Sequence, residues 1–198
     1  MKIFLLLPLL LLLSACAVFS TSPPTNQSNI CSIFEQKSNW YDDALDAQKK
    51  WGTPISVMMA IMKQESAFNA DAQPGMEHVL WIIPIGRPSS AYGYAQAQDP
   101  VWKEYQQQSG NSWSGRDEFD DAIDFIGWYT NKTNKINKIS KWDANKQYLN
   151  YHEGWGGYRR GSYKSKVWLI KVAKRVQSTA HTYSAQLKKC ENDLEGWF

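Results

Sequence analysis

The chain has 198 residues, 43% of them hydrophobic, 14% aromatic and 21% charged, with 22 Lys and Arg against 19 Asp and Glu for a formal net charge of +3. This composition excludes a disordered or collagen-like polypeptide, and the length suits about one domain. The near-balanced charge offers no basic stripe of the kind that neutralises phosphates, so nucleic acid is not an expected partner.

The first feature along the chain is an apolar run, Ile3 to Leu13, behind the single positive charge of Lys2. It is too short to span a bilayer and reads as the h-region of a signal peptide. It leads into Leu13-Ser14-Ala15-Cys16, small residues ahead of a cysteine, which resembles a bacterial lipobox, an ordinary signal peptide with an incidental cysteine being the alternative. The resemblance implies that residues 1–15 are removed and that Cys16 carries the acyl chains, anchoring the protein to a membrane through lipid. Ala17 after the cysteine, where an Asp would signal otherwise, points by the same analogy to the outer membrane with the protein facing the periplasm. Residues 16–30 are expected to be the lipidated Cys and a flexible tether, because AVFSTSPPTNQSNI is uncharged, rich in Ser, Thr, Pro and Asn, and lacks an apolar period. With Cys16 lipidated, Cys31 and Cys190 remain in a compartment that permits disulfides, one before the first helix and one after the last long one. A bridge between them is expected, two buried thiols being the alternative.

Residues 31–198 then read as one helical domain. Ser32 and Glu35 make a capping box for a helix with Phe34, Tyr41, Ala44 and Leu45 inside, stopped by Gly52. Thr53 as N-cap and Pro54 as first residue open a second helix, Ile55 to about Phe68. His78 to Pro88, HVLWIIPIGRP, is an apolar insert between Pro and Gly signals, either a short hairpin or an irregular flap. Asp99-Pro100 opens a third helix with Val101, Trp102 and Tyr105, ending near Gly110. Ser114 with Asp117 opens a fourth, with Phe119, Ala122, Ile123 and Ile126 inside. Asp143 caps a fifth that runs through Tyr148 to Glu153, and Leu169, Val172, Val176, Ala180, Tyr183 and Leu187 mark a long last helix. With no sustained period-two alternation and no internal repeat, the fold class is mainly α.

The second helix carries the most informative placement. Ile55, Met58, Met59 and Met62 recur at i, i+3, i+4 and i+7, and Glu65 shares their face. A carboxylate aimed at the core is desolvated, its pKa rises, and it can then serve as a general acid near neutral pH. Lys63 and Gln64 show the helix turning polar here, so the spacing alone also allows a solvated or salt-bridged charge at a helix end.

Three segments bear on that choice. Gln64-Glu65-Ser66-Ala67-Phe68-Asn69-Ala70-Asp71-Ala72 resembles the E-S-x-F-x-x-x-A segment of soluble lytic transglycosylase (SLT) domains, relatives of goose-type lysozyme. Ala91-Tyr92-Gly93-Tyr94-Ala95-Gln96 resembles their G-x-x-Q segment, and Leu149-Asn150-Tyr151-His152-Glu153-Gly154 their A-Y-N-x-G segment. The resemblance spans residues 39–186 and implies a mainly α, lysozyme-like SLT fold acting on peptidoglycan (murein) glycan strands. It also implies cleavage of the bond between N-acetylmuramic acid (MurNAc) and N-acetylglucosamine (GlcNAc) by one glutamate, acid first and base second, leaving a 1,6-anhydro end. One carboxylate suffices where the acetamido group of the sugar replaces the second. By carry-over Glu65 is that residue, and Ser66 either orients it or hydrogen-bonds within its own helix. Gly93, Tyr94 and Gln96 line the saccharide cleft, and Tyr151 places its hydroxyl near Glu65 or the acetamido group. Two departures stand out: His152 occupies the position of the family's Asn, and the insert lengthens the spacer between Glu65 and Gly93.

A hydrolase of the same fold would need a second carboxylate, for which Glu77, Asp99, Asp71 and Glu153 are available. Glu153, inside the third motif, either touches substrate or is a solvated helix-end charge. Tyr92, Trp155 and Tyr158 stand beside the motifs in Gly-rich stretches and are the candidates for stacking on sugar rings. Arg159 and Arg160 either meet murein carboxylates or are solvated. The three histidines lack metal-ligand spacing and no phosphate loop occurs, so neither metal nor cofactor is implied. A monomer is the default expectation, and a non-catalytic murein-binding lipoprotein is the reading from a different class.

Overall fold

A computed structural model describes residues 22–79 and 83–195. The expected signal peptide and Cys16 lie outside the described residues, as does the tip of the apolar insert. Among the described residues the chain forms α1 (Ile30–Gln36), α2 (Trp40–Trp51), α3 (Ile55–Ser66), a hairpin of β1 (Glu77–Val79) and β2 (Ile83–Gly86), and α4 (Asp99–Ser109). There follow α5 (Phe119–Asn137), α6 (Ala144–Arg160), a 3-10 turn (Ser162–Ser165) and α7 (Val167–Glu195). The mainly α expectation holds, and the insert is a two-stranded antiparallel hairpin, pairing Val79 with Ile83 and His78 with Pro84. Val79 and Ile85 are exposed on it, as is Met76 just before β1.

Local signals placed several helix ends correctly and misplaced others. Gly52 stops α2 in the left-handed region at φ 73, Pro100 sits in the first turn of α4, and Asp143 accepts from Lys146 N at 2.9 Å to cap α6. The expected box at Ser32 and Glu35 is displaced: the Asn29 side chain caps α1 by accepting from Cys31 N at 3.0 Å. The single helix read there is two, broken at Lys37-Ser38-Asn39. Thr53 caps nothing, because its hydroxyl is buried against Thr130 Oγ1 at 2.7 Å, and α5 starts at Phe119 without a side-chain cap.

Part of the stretch expected to be a tether packs on the domain. Gln27 Nε2 donates to Ala67 O at 2.8 Å, just past the end of α3, and its own carbonyl accepts from Lys63 Nζ at 2.7 Å and from the Tyr183 hydroxyl. Pro24 and Ile30, the apolar residues flanking this contact, are buried. The polar residues between them also bond to the domain, Thr25 N to Gln36 and Gln186 to Ser28 O, while Thr25, Asn26 and Ser28 stay exposed. Cys31 and Cys190 form the expected disulfide, joining α1 to α7 across 159 positions of sequence.

Helix α3 is the axis of the core. Every residue from Ile55 to Met62 is buried, so the helix is covered all round by α2, α5, α6 and α7 and not along one stripe. Gly127 of α5 lets this packing close, since a Cβ there would lie 2.6 Å from the Trp51 ring. Two aromatic groups flank the axis. Trp40 stacks on Phe119 with ring centres 3.9 Å apart, and Tyr129 stacks on Trp155 at 4.6 Å. Asp124 ties α2, α4 and α5 together by accepting from Trp51 Nε1 at 2.7 Å, Tyr105 Oη at 2.7 Å and Lys50 Nζ at 3.0 Å.

Candidate active site

Glu65 sits in the last turn of α3, where the helix is ended by two consecutive left-handed residues, Ala67 at φ 51 and Phe68 at φ 59. Such conformations are costly for non-glycine residues and persist only when the surroundings impose them. Here Phe68 is fully buried against Trp40, and the Ala67 carbonyl is held by Gln27. The residue beside the carboxylate thus has its backbone fixed from both sides. Glu65 keeps partial access to solvent while protein fills most of the space around it. Burial pushes its carboxyl up to about 7, opposed by a hydrogen bond donated by Tyr148.

Tyr148 was not found by motif. It lies three residues before Tyr151 on the same face of α6, is buried, and places its hydroxyl on the Glu65 carboxyl. That spacing was the only sequence signal for it. Burial and the neighbouring Glu65 charge push the Tyr148 phenol well above its ordinary range, so it stays a donor. Arg175 of α7 acts on Tyr148 from behind and reaches Gln64 Oε1 with Nε and Nη2, each at 3.3 Å. Tyr151 adjoins Glu65 without hydrogen-bonding to it. It lies close enough to Glu65 for its own ionisation to be opposed, yet its hydroxyl donates to Ala95 O at 2.6 Å. Ser66 does not orient Glu65 either, since its hydroxyl returns to Met62 O at 3.3 Å within its own helix.

The second motif forms a tight loop facing these residues. Gly93 has φ +73, and a Cβ there would lie 1.9 Å from Arg116 O, so only glycine fits. Its N–H donates to Ala72 O at 2.8 Å, and Tyr94 N donates to Arg116 O at 3.0 Å. The Gln96 amide braces the same turn, donating to Ala72 O at 2.7 Å and Gly93 O at 2.9 Å. Gln96 therefore shapes the loop as well as bordering the cleft. Tyr94 is a correction: it is 4% exposed and packs edge-on against Trp40 and Phe119, because the turn at Gly93 drives it into the core.

A cleft of about 350 Å³ opens between this loop and α6, lined by Gln96, Val101, Tyr129, Tyr151, His152 and Trp155 among others. Glu65 is not among the lining residues; Tyr151 borders the space and also neighbours Glu65. Trp155 presents its ring here, with Nε1 satisfied by Thr133 Oγ1 at 2.9 Å. Tyr92 and Tyr158 are not brought to it. The Tyr92 hydroxyl reaches Asp71 at 3.3 Å and Asp117 at 3.5 Å, while Tyr158 stacks on Tyr163 beside a different hollow, bordered also by Arg159.

Glu153 settles into neither expected role. The chain breaks helical geometry at Gly154, φ 70 and ψ 162, and the Glu153 side chain, 4% exposed, turns inward to Lys166 Nζ at 2.6 Å. It also accepts from the Ser162 hydroxyl and pairs with His152 Nδ1 at 3.0 Å. Burial alone would raise this carboxyl, but the three bonds outweigh it and hold the group at about 2. Asp99 is paired with Arg116 at 2.9 Å, and Glu77 is exposed on β1. Among the described residues no cluster of His, Cys, Asp and Glu is arranged to hold a metal ion.

A buried, protonatable glutamate at the end of a central helix, a glycine turn facing it and a tyrosine-bearing helix across from it are the helix, loop and helix of the three motifs. Residues 4–190 match the description of the transglycosylase SLT domain. The chain belongs to that family. No curated protein matches the sequence. As an SLT domain it has the lysozyme-like fold and is a lytic transglycosylase in class, of a family that acts on peptidoglycan strands.

Proposed function

We propose that this SLT domain cleaves the β-1,4 bond between MurNAc and GlcNAc with Glu65 as its single acid and base. The protonated carboxyl gives its proton to the glycosidic oxygen, the bond from C1 of MurNAc breaks, and GlcNAc leaves with a free 4-hydroxyl. The acetamido oxygen of MurNAc supports C1 meanwhile. Glu65, now a carboxylate, takes the proton of the C6 hydroxyl as that oxygen closes onto C1, which yields the 1,6-anhydro end and restores the acid without consuming water.

The observation that carries this reading is the contrast between two carboxyl groups. Glu65 is held at about 7 by burial, suited to gain and lose a proton near neutrality. Glu153, the carboxylate bordering the cleft, is held at about 2 with its oxygens committed to Lys166, Ser162 and His152. It is a poor base for activating water, so the arrangement favours internal capture by the C6 hydroxyl over hydrolysis. Tyr148 steadies the Glu65 carboxyl, and Tyr151, Gln96 and Trp155 shape the saccharide cleft.

We also propose that Cys16 is lipidated after removal of residues 1–15, placing the domain on the periplasmic face of the outer membrane as a monomer. The residue types at Leu13 to Ala17 support this. The reaction is tested by mass spectrometry of fragments from purified sacculi treated with the chain from residue 17 onward, beside Glu65→Gln. Fragments ending in 1,6-anhydroMurNAc with the first and none with the second are expected. Reducing MurNAc ends would instead make the protein a hydrolase, and full activity of the variant would remove Glu65 from the chemistry.

A further inference from the structure

The outer edge of the cleft carries a constellation that the reaction above does not use. His152 borders the cleft with its side chain 33% exposed. Its Nδ1 lies 3.0 Å from Glu153 Oε1, and that buried carboxylate is fixed in turn by Lys166 Nζ at 2.6 Å and by the Ser162 hydroxyl. An ionised carboxylate only accepts, so Nδ1 carries the proton that it donates to Glu153. In the neutral ring Nε2 is then an acceptor, held in one orientation and left to meet a ligand. Trp168, in the first turn of α7, stands edge-on to this imidazole with ring centres 5.2 Å apart and planes at 77°. It is 55% exposed, so the indole is open to water next to His152.

An exposed indole next to an oriented acceptor matches a pyranose ring, which offers an apolar C–H face for stacking and hydroxyl or acetamido N–H donors along its edge. An acidic stem peptide suits the place less well, because Lys166, the cation beside His152, is already committed to Glu153. We propose that His152 and Trp168 form an outer saccharide subsite that lengthens the cleft beyond Tyr151 and Trp155 and grips a glycan unit away from the cleaved bond. Glu153 and Lys166 are positioning residues that orient His152 for it. The inference rests on the murein transglycosylase reading and names a further part of that site.

The test compares full-chain wild type, Trp168→Ala, Trp168→Tyr and His152→Ala on murein glycan strands stripped of peptides, with binding of long and short chitooligosaccharides measured alongside. Loss of one stacked ring raises KM of Trp168→Ala about tenfold while kcat stays within about twofold, and Trp168→Tyr recovers most of the loss. His152→Ala raises KM several-fold in the same way, both variants weaken binding of long oligosaccharides and not short ones, and Trp113→Ala, at a 97% exposed residue that does not line the cleft, changes nothing. An unchanged KM for Trp168→Ala overturns the subsite, as does a fall in kcat alone. A defect seen on peptide-bearing murein but absent on stripped strands also overturns it, by assigning the pair to the peptide. Wild type that neither binds nor cleaves glycan strands would sink the parent reading and the subsite together, whereas active wild type with indifferent variants sinks the subsite alone.

Discussion

Replacing Glu65 by Gln tests the desolvation argument without any substrate. Burial raises this carboxyl from its ordinary 4.5 to about 7 in the folded chain, with the Tyr148 bond already acting against the rise. In the unfolded chain the group titrates near its ordinary value. The folded state therefore keeps a proton that the unfolded state releases, so the stability present below pH 4.5 is lost progressively as pH climbs through 7. At about 1.36 kcal/mol per pH unit the full loss is about 3 kcal/mol, an upper figure because the carboxyl keeps some contact with solvent. Gln has nearly the same shape and never ionises, so the variant escapes the loss. Urea unfolding of both proteins at pH 4, 6 and 8 should show near-equal stability at pH 4 and a variant more stable by up to about 3 kcal/mol at pH 8. That corresponds to a rise in Tm of roughly 6–12 °C for a domain of this size. A difference that does not change with pH, or a variant less stable at pH 8, would refute the claim that the glutamate is held in a desolvated site.

Tyr148→Phe removes the donor that stabilises ionised Glu65; a hydrogen bond to a charged group is worth about 1.5–3 kcal/mol. The alkaline limb of the activity profile, set by loss of the Glu65 proton, should move up by about one unit or more, and a profile that stays in place would argue against the contact. Gly93→Ala sets a Cβ 1.9 Å from Arg116 O at a positive φ and should destabilise by about 3 kcal/mol or more in thermal unfolding, with loss of activity as the loop opens. The double variant Cys31→Ser with Cys190→Ser frees a loop spanning 159 positions and should lower unfolding free energy by at most about 5 kcal/mol, read as the difference from the oxidised protein in guanidinium.

The placement of Glu65 shows how far local patterning reaches. Its face followed from helix periodicity, because the spacing of Ile55, Met58, Met59 and Met62 is set by the 3.6-residue repeat alone. That it is desolvated depends on neighbours far away in the chain, among them Tyr148, whose hydroxyl reaches the carboxyl from 83 positions away. The errors share a cause. Tyr94 stands inside the second motif and Tyr158 beside the third, but the turn at Gly93 leaves Tyr94 in the core, and Tyr158, past the break at Gly154, faces another hollow. Glu153 reads as either a ligand contact or a solvated charge because its partner Lys166 lies past the 3-10 turn that follows α6, where no spacing rule connects it.

What the sequence by itself determined is therefore what short-range chemistry controls. It set the helical class, the ends of helices at Gly52, Pro100 and Asp143, the glycine at position 93, and the three motifs that mark the family. Caps, positive φ and helical period act over a few residues and leave a trace in neighbouring letters. The tertiary structure alone decided which tyrosine meets Glu65, that Glu153 is an internal anion, that His152 is oriented beside an open Trp168, and that Gln27 docks on the end of α3. Each of these depends on how whole helices cross, and the packing that fixes those crossings sums many weak contacts between residues far apart in the chain.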